Sequence, residues 1–333
     1  MSTMLPKVLV YSITYNHSKF ITKALNGFSS QHTDFPYLCC VIDDCSIDNE
    51  QDLIRSYIYE NCHLDSITVT DAPYAEIITA QHKANDNCRF AIYLLKYNHY
   101  SRGLSQKKYE YLDEEWRNNI KYTAYCEGDD YWEDENKLQK QVVALDNHPD
   151  LDMCVHSYIE KNALSGEVLN IKSLGDNERI ISLEEMIMGE GGKVGTNTIM
   201  VRTILNNHFP PFRKMMNYDY SLQIHGALRG GVLYLPDTMS VYNVGVPDSF
   251  CSRAETDEHF RNDFLKKKIN MMEQLDKDLD YQYHKYIQAR LLLSTVSVFN
   301  SINQNVMYFF RYRKGYWTIT IKERIKIFFE KTY

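Results

Sequence analysis

The sequence has 333 residues, 44% of them apolar and 24% charged, and a formal net charge of −7. This is the profile of a globular protein with ample core. Eight cysteines show no paired C-x-x-C spacing, and Cys39–Cys40 are adjacent in an apolar run; this argues against a disulfide framework or zinc knuckle and fits reduced thiols in a cytosol. Residues 261–333 hold 14 Lys/Arg against 7 Asp/Glu and the first 260 hold 23 against 37, and so acidic a body argues against a nucleic-acid binder, whose active face is basic.

In chain order, KVLVYSI (7–13) reads as a first strand and not as a signal peptide. Residues 18–30 read as a helix with Phe20, Ala24, Leu25 and Phe28 on one face. YLCCVI (37–42) is a near-continuous apolar run, the mark of a strand buried on both faces. Residues 48–60 read as helical, FAIYLLK (90–96) as a third strand, 106–119 as helical and KYTAYC (121–126) as a fourth strand. The segment 62–89 interrupts this rhythm as a polar insertion, with a helix expected around 74–85. Leu138, Val142 and Leu145 give helical spacing to 135–147.

Beyond 150 come a strand (152–158), a hairpin (160–171) and a helix (182–188). A Gly-rich turn at Gly189, Gly191, Gly192 and Gly195 leads to a strand at 196–201. After Pro210–Pro211 a helix (218–229) and a strand (231–236) follow. After 255 the pattern is almost purely helical. No stretch reaches the ~18 apolar residues that span a bilayer. Strands alternating with helices predict a doubly wound, mainly parallel α/β sheet, here over residues 1–250, with a helical, basic and aromatic region at 251–333.

In such sheets the functional crevice lies past the carboxyl ends of the strands. Thr14–Tyr15–Asn16 follow the first strand, Asp43–Asp44–Cys45–Ser46 the second and Glu127–Gly128–Asp129–Asp130 the fourth. No GxGxxG or Walker-type loop is present to cradle phosphate. Two acidic clusters facing one crevice bind phosphate only through a divalent cation held on carboxylate oxygens, which then assists a pyrophosphate leaving group as a Lewis acid. Rival readings stand beside each: Asp43–Asp44 as caps of the next helix, 127–130 as a polar turn, and Tyr15 as one packing ring among 26 Tyr and 14 Phe.

The stretches VLVYSITYNHSKFITKALNGFSSQ, CCVIDDCSID, YTAYCEGDDYWEDENKLQKQV and MNYDYSLQIHGALRGGVLYLPDTMSVYNV resemble, in order and spacing, the family 2 inverting glycosyltransferases of GT-A fold, over roughly residues 5–245. The resemblance implies a nucleotide-sugar site in which Tyr15, flanked by Thr14 and Asn16, stacks near the base, and Asp44 with Asp43 beside it reads base and ribose edges. Asp129–Asp130 would form the metal and donor motif, with Asp130 the first metal contact and Glu127 its leading acid. The metal would be Mn2+ or Mg2+. Asp219, in NYDYSL, matches the catalytic base, its rival reading being a helix cap. Arg102, in NHYSRG, either meets the pyrophosphate or decorates a loop. Thr196 and Asn197, after the Gly-rich turn, and Trp132 are candidates for the acceptor pocket.

One carboxylate cluster with a metal on the departing side and one separate carboxylate to take the acceptor's proton satisfy a single inverting displacement. The resemblance thus implies transfer from a nucleoside diphosphate sugar, most plausibly a uridine one, to a glycan or lipid-linked glycan in bacterial surface polysaccharide or lipopolysaccharide assembly. The alternatives are a catalytically silent sugar-nucleotide-binding scaffold and a nucleotidyltransferase. The latter wants a Gly-rich basic loop after strand one that Thr14–Tyr15–Asn16–His17 does not supply. Relatives carry a His or Arg near a YR-x-H stretch where this chain has Tyr242–Asn243–Val244–Gly245. In 308–333, Arg311, Arg313, Lys314, Lys322, Arg324 and Lys326 interleave with aromatics, a composition suited either to a packed helix or to peripheral contact at a cytoplasmic membrane face. Oligomerisation is compatible with all of this.

Overall fold

A computed structural model describes residues 5–298 and 311–320, apart from 106, 113 and 248. The chain divides into two compact units: one of Met1–Ile180, Val194–Asn207 and Val232–Val244, the other of Ile181–Lys193, His208–Gly231 and Gly245–Tyr333.

The first unit opens with β1 (Val8–Thr14), α1 (Ile21–Ser29), β2 (Tyr37–Asp43), α2 (Glu50–Asn61), β3 (Thr68–Asp71), β4 (Ala75–Gln81) and β5 (Cys88–Leu95). Short helices α3 (Lys107–Glu110) and α4 (Glu114–Asn119) lead to β6 (Tyr122–Tyr125), β7 (Tyr131–Trp132), α5 (Lys137–Asn147), β8 (Met153–Asn162), β9 (Val168–Lys172) and β10 (Arg179–Ile181). After α6 (Leu183–Gly189), a second-unit helix, come β11 (Met200–Arg202), α7 (Ile204–Asn207) and β12 (Val232–Val244).

Along the sheet the strands run β10-β12-β8-β11-β6-β1-β2-β5-β4-β3, with β7 paired to β12 and β9 to β8. The centre, β6-β1-β2-β5, is wholly parallel, and antiparallel pairs flank it on both sides. All seven residues of β2 are buried, because helices cover both faces and no polar side chain has water to face. Val10, Cys39, Val41 and Ile92 meet Leu25 and Phe28 of α1, Ile54 of α2 and Leu138 of α5. On the opposite face Leu9, Leu38, Cys40 and Ile42 join Tyr93, Leu112 and Ile120. All eight cysteines are free thiols.

Two expectations are corrected. The segment 62–89 contains no helix at 74–85; β3 and β4 form an antiparallel hairpin that extends the sheet beyond β5. Ala75–Gln81 is rich in β-branched residues, Ala75, Ile78 and Ala80 are buried, and the Thr68 and Thr79 hydroxyls pair across the strands at 2.6 Å, so sheet contacts override the helical reading. Residues 196–201 are not one strand but a 3-10 turn at Thr196–Thr198 followed by β11.

The second unit comprises α6, α8 (Pro211–Met215), α9 (Asp219–Ala227), α10 (Phe250–Thr256), α11 (Glu258–Asp278) and α12 (His284–Val298). Ser182 and Glu185 form a capping box on α6, and Asp257 caps α11 by accepting the Phe260 N–H at 2.9 Å, each satisfying donors that a helix start leaves open. Arg311 pairs with Glu273 of α11 at 2.6 Å, and a Cβ on Gly315 would stand 2.1 Å from the Ala289 nitrogen of α12. Residues 311–320 therefore lie tight against helices. Lys322, Arg324 and Lys326 lie outside the described residues. Among the described residues no helix is long and apolar enough to cross a membrane.

Candidate functional site

The parallel registers Thr14↔Asp43 and Asp43↔Leu94 align the carboxyl ends of β1, β2 and β5. The loops after β1 and β2 are then laced together by one residue absent from the sequence reading, Glu50 at the start of α2. Its carboxylate is fully buried and accepts the Thr14 hydroxyl, the His17 N–H at 2.8 Å and the Ser46 hydroxyl at 2.9 Å. Asn16, at φ +59, donates its N–H to Ser46 Oγ at 2.9 Å and accepts the Ile47 N–H on its side-chain oxygen at 2.9 Å. Asp48 accepts the Ser18 N–H. Tyr15 rides on this platform with 39% of its surface exposed, enough for a planar partner to cover its ring. Thr14 is buried, its hydroxyl spent on Glu50.

The two acids after β2 have different fates. Asp44 is fully engaged: Oδ1 accepts the His99 N–H at 2.7 Å, and Oδ2 accepts the Tyr100 N–H at 3.1 Å and the buried Lys108 ammonium at 2.7 Å. Burial holds the Lys108 ammonium below its usual range, with Asp44 opposing. Asp43 accepts the Ser46 N–H at 3.0 Å and the Gln51 amide at 2.6 Å on Oδ1, yet its buried Oδ2 has no hydrogen-bond partner among the described residues. Burial raises the Asp43 carboxyl above its ordinary value. Of the pair, Asp43 is the one with an open acceptor. Neither acid caps α2, whose N-cap is Asn49.

Arg102 is exposed in the 97–104 loop. Its guanidinium carbon lies 4.7 Å over the Tyr97 ring, and it counters the Asp43 and Asp44 charges felt by Cys45.

The third loop meets the first through Gly128. A Cβ there would stand 2.0 Å from Thr14 Oγ1, so only glycine permits the approach. The acidic knot then splits. Glu127 is exposed. Asp130 is buried, and its Oδ1 accepts the Asn243 N–H at 2.8 Å, while the Asn243 amide donates to the Asp129 carbonyl. Asp129 Oδ2 lies 3.7 Å from His17 Nε2, and its buried Oδ1 has no hydrogen-bond partner among the described residues. Burial raises the Asp129 carboxyl, with His17 opposing. Among the described residues no group of three or more His, Cys, Asp or Glu side chains is gathered as a cation site.

Trp132 and Asn197, expected at an acceptor pocket, are both buried and hydrogen-bonded to each other. Trp132 is buried and donates its indole N–H to the Asn197 carbonyl at 3.0 Å. Its ring meets Phe28 edge-on at 4.9 Å and carries the Lys137 ammonium 4.0 Å above it; burial pushes the latter's pKa down to about 7. Asn197 is equally buried and donates to the Val241 carbonyl at 2.9 Å. Thr196 beside it is half-buried.

Asp219 belongs to the second unit. It is the first residue of α9, not its cap, which is Tyr218. The Tyr218 ring packs edge-on to Phe264 at 5.2 Å. The Gly-rich turn is tied to this helix, since Gln223 donates to the Gly191 carbonyl at 3.0 Å and the Tyr220 hydroxyl donates to the Ile187 carbonyl. Glu190, at φ +57, anchors the turn through Arg290 at 2.7 Å, Lys268 and Ser294.

His17, Glu50, Lys108 and Asn243 are the site residues that sequence reading missed. His17 and Glu50 follow the ends of β1 and β2 and Asn243 lies near the end of β12, whereas Lys108 is far in sequence from any strand.

No family model matches the sequence. An uncharacterised protein of Mycobacterium bovis is 28% identical over 243 residues, which cover 70% of this chain and 57% of that protein. Uncharacterised proteins of two Mycobacterium tuberculosis strains match to the same extent. The chain thus spans little more than half the length of these relatives. Among solved structures, S. aureus TarS 1-349 superposes with a TM-score of 0.50 at 15% identity, covering 96% of this chain and 90% of that one. The complex of the same protein with UDP-GlcNAc gives the same values. The likeness is one of fold.

Proposed function

We propose that this chain, which has the GT-A nucleotide-diphospho-sugar transferase fold with a helical C-terminal region, is an inverting glycosyltransferase. In this reading it moves a hexose-type residue from a nucleoside diphosphate sugar, a uridine one first, to a glycan or lipid-linked glycan acceptor in bacterial surface polysaccharide or lipopolysaccharide assembly. Its place of work would be the cytoplasmic side of the membrane.

One observation carries the proposal. The strand-end loops hold two buried carboxylate oxygens, Asp43 Oδ2 and Asp129 Oδ1, that have no hydrogen-bond partner among the described residues. A buried acceptor left open costs about 1–3 kcal/mol, and burial raises both carboxyl groups above their ordinary values. Such groups are stabilised by something that brings hydrogen-bond donors and positive charge. A nucleoside offers the first and a divalent cation the second. UDP-GlcNAc in TarS supports the donor class.

In the proposed complex Tyr15 stacks on the base and Asp43 accepts from base or ribose, while Asn16 and Thr14 hold the loop that carries Tyr15. Asp129 and Asp130, with Glu127 on the same turn, would hold Mn2+ or Mg2+, which when bound neutralises charge on the departing diphosphate. The open Oδ1 of Asp129 fits that role, and Asn243 fixes the orientation of Asp130. Arg102 is the proposed cation for the pyrophosphate. Asp219 is the proposed base, taking the acceptor's hydroxyl proton as that oxygen attacks the anomeric carbon.

The test is calorimetric titration of UDP, GDP, CDP and dTDP, each with Mn2+ and with chelator, on wild type, Asp130→Ala and Asp219→Asn. The proposal expects one preferred base, metal-enhanced affinity lost in Asp130→Ala, and an Asp219→Asn protein that binds donor without turning it over. A protein that binds no nucleotide under any condition refutes it.

A further inference from the structure

The β3–β4 hairpin reaches the candidate site by a continuous chain of contacts. Because Ala75 pairs with Leu95 and Gln81 with Arg89, the β3–β4 turn sits at the carboxyl end of β5, on the same edge as Thr14 and Asp43. The Lys96 N–H donates to the Tyr74 carbonyl at 2.9 Å, and the Lys96 ammonium pairs with Asp71. Tyr74, the residue just before β4, stacks its half-buried ring on Tyr111 with centroids 3.8 Å apart and planes 13° apart. The Tyr111 hydroxyl pairs with His99 Nε2 at 2.8 Å. His99 is fully buried and donates its N–H to Asp44 at 2.7 Å. Its ring lies parallel to Tyr97 at 4.7 Å, and Tyr97 carries the Arg102 guanidinium on its ring at 4.7 Å.

We infer that Tyr74 and Tyr111 are positioning residues for the nucleotide half of the donor, and that the hairpin serves as the buttress of the 97–104 loop. The inference rests on the donor-site reading given above. Neither ring needs to touch donor. They fix the imidazole of His99, and through it both the backbone that grips Asp44 and the ring on which Arg102 rests. Each ring buries a large apolar face against the other, so removing one shifts the population of a surface loop several-fold.

The experiment compares wild type with Tyr74→Ala, Tyr74→Phe, Tyr111→Phe and the control Val69→Ala, an exposed position on β3 of the same hairpin. Calorimetric affinity for UDP and hydrogen exchange of the 97–104 amides are read together, with melting temperature as a fold check. The expected result is a roughly tenfold weaker UDP affinity in Tyr74→Ala with faster exchange at His99 and Tyr100. Tyr74→Phe, which keeps the stack, restores wild-type behaviour, and Tyr111→Phe, which loses the His99 contact, weakens binding several-fold. Val69→Ala matches wild type. A folded Tyr74→Ala that binds UDP as wild type does, with unchanged exchange, overturns the inference and leaves the donor site intact. A wild type that binds no nucleotide refutes the donor site, and the inference falls with it.

Discussion

A Cβ at Gly128 would meet the Thr14 hydroxyl oxygen at 2.0 Å and the Thr14 Cβ at 2.5 Å. The loops after β1 and β6 thus touch with no room for a single methyl. Gly128→Ala is expected to destabilise the protein by about 1–3 kcal/mol, the range of overpacked interiors, and to abolish UDP affinity. Adding Thr14→Ala does not rescue it, because the Thr14 Cβ is itself in the way. Urea unfolding of both variants measures the first effect, calorimetry the second. Recovery in the double variant would contradict the geometry.

Glu50 accepts three hydrogen bonds, one on Oε1 and two on Oε2. Glu50→Gln turns one of these oxygens into a donor that faces donors. The loop carrying Tyr15 should loosen, seen as faster amide exchange at His17. UDP affinity should drop about tenfold, equal to about 1.4 kcal/mol. Unchanged affinity would mean that Tyr15 needs no fixed loop.

Lys108 and Asp44 form a buried ion pair at 2.7 Å. Removing one partner of such a pair costs about 3–5 kcal/mol, whereas replacing both can be nearly neutral. Lys108→Met should therefore lower unfolding free energy by that amount, and Lys108→Met with Asp44→Asn by distinctly less. The double-mutant cycle tests this, and simple additivity would rule it out.

Asp129 is buried with its carboxyl raised above the ordinary range by burial. A raised value means the folded state favours the protonated form. That stability is fully present below the unfolded carboxyl's pKa and is lost as pH rises through the raised folded value. Asp129→Asn escapes the loss. It is expected to melt higher than wild type at neutral pH, the trade of function for stability that functional sites show. The gap should shrink toward acid, and metal-enhanced UDP binding should be lost. Melting curves from acidic to neutral pH, without metal, decide the matter.

How far the sequence discloses this molecule follows from what kind of interaction fixes each part. β1, β2, β5 and β6 are legible because strands buried on both faces must be apolar throughout, and the positions of Thr14, Asp43 and Asp129 follow from where those runs stop. The β3–β4 hairpin is not legible, since Ala75–Gln81 owes its conformation to pairing with β5, across which nothing local signals. Asp43 and Asp44 look alike in a string of letters. Only the folded 97–112 segment, with Lys108 and two backbone N–H groups on one carboxylate, tells them apart. Nor does the sequence show how tightly α1 closes over Trp132, where a Cβ added to Gly27 would stand 2.7 Å from the Trp132 carbonyl.

The parallel pairing of β12 with β8 slips twice, between Leu235 and Thr238 and between Thr238 and Ser240. Those slips decide which residue arrives opposite the third loop, and it is Asn243. Side chains alternate between sheet faces, so a one-residue deletion at 236–240 would deliver Val244 to Asp130, which has no amide to offer the Asp129 carbonyl. The irregular stretch therefore behaves as a counting device. The spacing between Leu235 and Asn243 is as much a part of the acidic turn as the acids themselves, and altering its length by one would leave every named residue present and the turn unsupported.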